Sequence, residues 1–288
     1  MPDMLDHFKA ALADRYEIKK KIGSGGMATV YLAEDRKHRR PVALKVFRPE
    51  PPDASGADRF LREIDFVAQL VHPHILPLHD SGQVGGLPYF VMPYVDGGSL
   101  RDWLNREKQL PLDQALRIAQ QVAAALHFAH GNHLVHRDIK PENILLTNGQ
   151  AVVADFGVAH AICTGCIESL GSALVGTPAY MSPEQVTEDD VDPRSDIYSL
   201  GCVLYEMLTG EVPYSGKGVM NTVVRHLSDP IPSVRKLRPD VPEVVDAAIR
   251  KALGKRPVDR FQTADMFGEA LASAVPPKTA VRTGLPAC

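Results

Sequence analysis

A chain of 288 residues with 44% hydrophobic side chains has material for one large domain or for two lobes around a cleft. Its 32 basic and 35 acidic residues nearly cancel, which argues against non-specific nucleic-acid or membrane-surface binding and leaves any recognition of charge local. No apolar run is long enough to span a bilayer, and the opening MPDMLDHFKAALADRY is too often interrupted by acids for a signal peptide. The four cysteines, at 163, 166, 202 and 288, make no disulfide framework, so a cytoplasmic chain with reduced thiols is the expectation.

In chain order, residues 1–15 read as a helical lead-in. Residues 16–95 then alternate short β-branched and aromatic stretches (TVYLAE, VALKVF, PYFVMPY) with Gly and Pro, which predicts a small strand-rich lobe. One helix interrupts it: DRFLREIDFVAQL places Phe60, Ile64, Val67 and Val71 at helical spacing. The character changes at Asp96 to Gly98, and residues 96–274 read as a larger, mainly helical lobe. Its long core helix, LDQALRIAQQVAAALHFAH, puts Leu112, Ala115, Leu116, Ala119, Val122, Ala123 and Leu126 on one face. Further helices are legible in DIYSLGCVLYEMLTG, closed by Gly210, in VMNTVVRHL, in EVVDAAIRKAL and in TADMFGEALASA. Residues 275–288 have no periodicity and read as a flexible tail.

Four stretches carry chemistry. IGSGGMATVYLA is a Gly-rich turn between two strands, in which Gly23 and Gly25 let backbone N–H groups approach a phosphate; a tight hairpin without a ligand uses the same glycines. In VALKVF, Lys45 stands in an apolar strand and needs anions or a route to solvent, with Glu63 a candidate partner. HLVHRDIKPENILL crowds Asp138, Lys140 and Asn143 into a short loop, offering a proton acceptor, a cation and a carbonyl oxygen for a hard metal. AVVADFGVA ends a strand on Asp155, where a carboxylate can hold Mg²⁺.

These four in this order, followed by GTPAYMSPE, resemble the protein-kinase signature set over about Tyr16 to Ala274, and the lysine two after Asp138 is similar to serine/threonine rather than tyrosine kinases. ALGKRPVDRFQTADMF and YFVMPYVDGGSLRD look most like bacterial-type members. The resemblance implies an α+β bilobal fold, with ATP in the cleft between a β-rich N-lobe and a helical C-lobe. It implies an enzyme that uses ATP with Mg²⁺, or Mn²⁺, to phosphorylate Ser and Thr hydroxyls of protein substrates. Lys45 would hold the α- and β-phosphates and pair with Glu63, Asp138 would orient and deprotonate the acceptor, and Asn143 and Asp155 would hold the metal. The phosphate loop would be Gly23, Ser24, Gly25 and Gly26. Ile22, Val30, Ala43 and Leu145 would sandwich adenine with Met92 behind, while Pro93 and Val95 offer backbone groups to its edge. Glu184 and Arg260 would form a buried pair, and Asp196 would anchor the backbone of the H-R-D loop. Three positions depart from the pattern: Ala28 replaces the third glycine, Pro93 follows Met92, and the A-P-E motif reads SPE.

A pseudokinase scaffold and a small-molecule phosphotransferase are the alternatives. All five polar catalytic residues speak against the first, and GTPAYMSPE, with Thr177 reaching toward Asp138 and Lys140, speaks against the second. Arg137 beside Asp138 suggests activation by a phosphorylated loop residue, with Ser169, Ser172 and then Thr164 as candidates and a transient homodimer as the arrangement for autophosphorylation in trans. His130, His133 and His136 read as helix-end and loop residues rather than a metal site, and Cys202 as a small core residue. CTGC at 163–166, near His160, stays open between a zinc site, a reversible disulfide and a loop with incidental thiols.

Overall fold

Strand-forming residues punctuated by Gly and Pro build β1 (Tyr16–Ser24), β2 (Ala28–Asp35), β3 (Arg40–Phe47), β4 (Asp80–Val84) and β5 (Leu87–Pro93). They form one antiparallel sheet in the order β1-β2-β3-β5-β4. The computed structural model describes residues 8–25, 28–47, 64, 67–156, 178–187 and 189–274. Gly26, Glu63, Thr164, Ser169, Ser172, Thr177, the CTGC stretch and the tail lie outside the described residues.

The apolar run in β3 has two covers. Val42, Leu44 and Val46 face one side, where Phe8 and Leu12 of a short helical segment, 8–12, pack with Tyr16, Tyr89 and Val91. Ala43 and Phe47 face the other, packing with Phe90, Met92, Ile64 and Leu76 and with Val152 and Ala154 of the larger lobe. Lys45 shares this second face by the two-residue period of a strand. A strand buried on both faces is expected to lose polar alternation, and VALKVF does. The helix read through Val71 ends sooner: residue 68 is its last helical position, Leu70 is buried, and Val71 is 83% exposed. Once the turn at Gln69 breaks the helical period, four-residue spacing no longer carries Val71 to the core.

The larger lobe holds α1 (Leu100–Glu107), α2 (Leu112–Gly131), the hairpin β6 (Ile144–Thr147) and β7 (Gln150–Val153), then α3 (Pro183–Thr187), α4 (Pro193–Thr209), α5 (Val219–Ser228), α6 (Glu243–Ala252) and α7 (Ala264–Ala272). Helix α1 was not legible as a separate element; a capping box between Ser99 and Asp102 starts it. The predicted face of α2 is buried except for the partly exposed Leu112, and Ile118, Ala125 and Ala129 are buried too, because α4, α7 and β7 surround the helix. In α4, Asp192 caps the start, every residue from Ser195 to Thr209 is buried, and Gly210 closes the end at φ 79°.

The passage between lobes is tightly laid on β6. A Cβ on Gly97 would stand 1.9 Å from the carbonyl oxygen of Leu146, so only glycine fits. Leu146 N–H donates to Gly98 O at 2.9 Å, and Ser99 bridges to Leu145. Among the described residues no helix is long and apolar enough to cross a membrane.

Candidate active site

The catalytic loop lies between α2 and β6. Asp138 is at its centre: Lys140 Nζ donates to both carboxylate oxygens, at 2.9 and 2.7 Å, and Asn143 Nδ2 donates to Asp138 Oδ2 at 2.9 Å and to its backbone carbonyl at 2.8 Å. Asn143 is buried at the end of a 3₁₀ turn, residues Pro141–Asn143. That turn converts sequence neighbours into a cluster.

Beneath the loop, Asp196 in the first turn of α4 is wholly buried and accepts three hydrogen bonds at 2.8 Å, from the N–H groups of His136 and Arg137 and from His130 Nε2. His136 completes the floor. Its Nε2 meets Ala154 O at 2.9 Å, and a carbonyl only accepts; its Nδ1 receives Asp138 N–H at 3.2 Å, and an amide only donates. The ring is therefore the Nε2–H tautomer, and it packs edge-on against Phe156. Arg137 has φ 67°, a left-handed backbone that costs a non-glycine residue about 1–2 kcal/mol. Its guanidinium makes no ion pair among the described residues.

Across the cleft, Lys45 Nζ donates to Asp155 Oδ2 at 2.5 Å. The register sets Lys45 opposite Val30 and Phe90, deep in the small lobe, and Asp155 follows β7 with φ 66°. Asp155 Oδ1 is buried with no hydrogen-bond partner among the described residues. An orphaned carboxylate oxygen is costly unless something occupies it, and with Asn143 nearby in chain and fold the donors are hard oxygens that suit a small divalent cation. Glu63 falls outside the described residues, so no partner role is described for it.

The adenine candidates gather in one apolar cluster. Ala43 and Met92 face each other across β3 and β5, and Val30, Val95 and Leu145 pack against the same group. Ile22 stands apart on β1, 41% exposed, next to Gly23, which is paired with Val30. Pro93 ends β5 opposite Val42. Gly25 N–H closes the Gly-rich turn on Ala28 O at 2.9 Å, after Ser24 pairs with Thr29. Val152 and Ala154 line the same cluster, and only their place in an apolar strand before Asp155 hinted at it.

Farther down, Arg260 Nη1 and Nη2 grip Glu184 at 2.6 and 2.7 Å, and Ser195 donates to Glu184 at 2.5 Å. The Arg260 side chain is 0% exposed and that of Glu184 5%. Burial works to raise the Glu184 carboxyl, but the Arg260 and Ser195 hydrogen bonds outweigh it and hold the group below its ordinary value. A second network escaped sequence reading altogether. Arg101 of α1 binds Glu142 at 2.8 Å and Glu206 at 2.7 Å and also reaches Tyr180, whose hydroxyl donates to Glu206 at 2.5 Å. Burial opposes the Arg101 charge, yet the bonds to Glu206 and Glu142 raise its basicity further. His130 was likewise read as a helix-end residue; its bond to Asp196 spans 66 positions and has no local signature.

The chain matches the protein kinase domain family over residues 16–269. It is 44% identical over 260 residues to serine/threonine-protein kinase PknB of Mycobacterium leprae, covering 88% of this chain and 42% of that protein. Against PknB of Mycobacterium tuberculosis the identity is 44% over 261 residues, with the same coverage. Against PknD of the same species it is 44% over 252 residues, covering 86% of this chain and 38% of that protein. The chain thus spans about two fifths of the length of the relatives it matches. With the two lobes, the loop of Asp138 to Asn143 and the Lys45–Asp155 pair in one molecule, the chain belongs to the protein kinase domain family, on its bacterial serine/threonine branch.

Proposed function

We propose that this domain transfers the γ-phosphoryl group of ATP to serine and threonine hydroxyls of protein substrates, with Mg²⁺ or Mn²⁺ as the metal. The protein kinase family uses ATP and a divalent cation. The observation that carries the reading is the convergence of Lys140 and Asn143 on the Asp138 carboxylate, together with the Lys45–Asp155 pair. Asp138 orients the acceptor hydroxyl and takes its proton as the oxygen bonds to phosphorus and the bond to the ADP oxygen breaks. Lys140 is held to Asp138 by a partly exposed pair, with side chains 24% and 40% accessible, of a kind worth about 0–1 kcal/mol. It can therefore turn to the transferring group at small cost. Lys45 offers its ammonium to the α- and β-phosphates, and the apolar cluster of Ala43, Met92 and Leu145 receives adenine. Asp155 and Asn143 would hold the cation, which when bound neutralises phosphate charge.

Activation is proposed to follow autophosphorylation in trans within a transient homodimer, at Ser169, Ser172 or Thr164, the new phosphate neutralising Arg137. The test is transfer from radiolabelled ATP, with and without Mg²⁺, to a generic protein substrate, followed by phosphoamino-acid analysis and mass spectrometry of residues 160–177. Metal-dependent phosphoserine or phosphothreonine is expected. ATP binding without transfer would instead identify a scaffold, and phosphate found only on small-molecule hydroxyls a metabolite kinase.

A further inference from the structure

The SPE departure from the family's A-P-E motif leads to a side chain that the mechanism above does not use. Ser182 is wholly buried just before α3, and its Oγ accepts Gln185 N–H at 3.4 Å while Gln185 Oε1 accepts Ser182 N–H at 3.1 Å and the Ser182 hydroxyl at 3.2 Å. This is a capping box, and a capping box asks only for an acceptor at its fourth residue, so glutamate would serve as well as glutamine. Glutamine adds an NH₂ group. Here Gln185 Nε2 donates to the carbonyl of Arg137 at 2.7 Å, across 48 positions of chain.

We propose that Gln185 is a positioning residue for Asp138, tying the catalytic loop to α3. The peptide unit joining Arg137 to Asp138 is held at both ends: its N–H by His136 Nδ1 and its C=O by Gln185. The unit before it is held by Asp196, whose Oδ1 accepts Arg137 N–H. A left-handed Arg137 persists only where its surroundings over-determine it, and among the described residues Gln185 supplies the one side-chain hydrogen bond to this carbonyl. Gln185 also lines a cavity of about 30 Å³ with Asp138, Lys140, Tyr180 and Met181, so the tie lies on the side of the loop that faces Tyr180 and Met181. Its neighbour Glu184 points instead to Arg260, which leaves the two side chains of α3 with separate tasks. The effect on catalysis rests on the kinase reading; the tie itself does not.

The discriminating variants are Gln185→Glu, which keeps the capping box and loses the donor, and Ser182→Ala, which loses the hydroxyl half of the box and keeps the donor. Each is measured for phosphoryl transfer, for ATP KM, for melting temperature and for amide hydrogen exchange of the segment 135–141. Gln185→Glu is expected to lower kcat about tenfold, the scale of one unmade hydrogen bond, with ATP KM unchanged and exchange in 135–141 faster by a similar factor. Ser182→Ala is expected to lower the melting temperature without either change. Parent-like exchange in 135–141 for Gln185→Glu overturns the proposal, as does an equal response from Ser182→Ala. If the parent transfers no phosphate while exchange responds as expected, the tie stands and the kinase reading fails. Should Gln185→Glu not fold, Gln185→Met takes its place: faster loop exchange than in Ser182→Ala supports the tie, and equal exchange refutes it.

Discussion

On the cleft side of the catalytic loop, Asp138 and Lys140 meet as a partly exposed pair, while Asp196 beneath the loop and the Glu184–Arg260 pair are closed to water. The two regions use the same residue types under opposite conditions. Charges that must change partners during transfer sit where an ion pair is worth about 0–1 kcal/mol. Charges that define the shape of the loop sit where loss of one partner strands the other in a dry interior, at about 3–5 kcal/mol. Reactivity and rigidity are thereby assigned to different layers of one loop.

The largest expected effect tests the upper layer. Asp138→Asn should lower the rate of transfer about 10²–10⁴-fold, the usual contribution of a positioned proton acceptor. Its unfolding free energy in urea should stay within about 1 kcal/mol of the parent, since the amide oxygen can still accept from Asn143 and only the partly exposed pair with Lys140 is lost. A large loss of stability in this variant would break the comparison, because Asp138 would then be part of the scaffold.

Arg260→Ala tests the lower layer. It leaves Glu184 buried with Ser195 as its one remaining side-chain donor among the described residues, and it also abandons the carbonyls of Gly254, Lys255 and Arg194 that the guanidinium now satisfies. Urea denaturation should show a loss of about 3–5 kcal/mol. A loss below about 1 kcal/mol would mean that the buried pair behaves like the exposed one, and the distinction between layers would fall.

How far sequence reading reached follows the same division. The cleft residues are legible because polar side chains in HRDIKPEN and VALKVF interrupt otherwise apolar strings, and a costly polar residue announces itself. The two-lobe division was legible where DGGSL changes the character of the text, and Gly97 shows why glycine is needed there. Partners across long separations were not legible: the resemblance implied the Glu184–Arg260 pair, but not the two that follow. Lys45 meets Asp155 across 110 positions, and Arg101 meets Glu206 across 105, with no local periodicity to mark either. Val71 was misplaced because periodicity cannot report where a helix stops unless a capping residue does. The role of the segment 8–12 was hidden too, although a strand apolar on both faces, as β3 is, already requires a second cover.

A smaller effect sharpens the comparison with a third condition, burial without a counter-charge. His226 of α5 is 0% exposed, its Nδ1 lies 2.9 Å from the Tyr198 hydroxyl, and its ring packs edge-on against Tyr214. No carboxylate pairs with it among the described residues; Lys255 donates instead to its backbone carbonyl at 2.7 Å. Burial first, and the Lys255 ammonium second, push its pKa down to about 4 from an ordinary 6.5. Between those two values the unfolded chain binds a proton that the folded chain refuses, so stability rises with pH across the window and is lost as pH falls from 6.5 toward 4. The slope attributable to one such group is at most about 1.4 kcal/mol per pH unit. His226→Gln, which keeps a polar partner for Tyr198 but does not titrate, should flatten the parent's stability profile between pH 6.5 and 4 in urea titrations. Carboxylates titrate identically in both proteins at the lower end, so the difference between the two profiles isolates the histidine. Superimposable profiles would show that His226 gains a proton in the folded state as readily as in the unfolded one, and burial alone would then not suffice to keep a group of this core neutral.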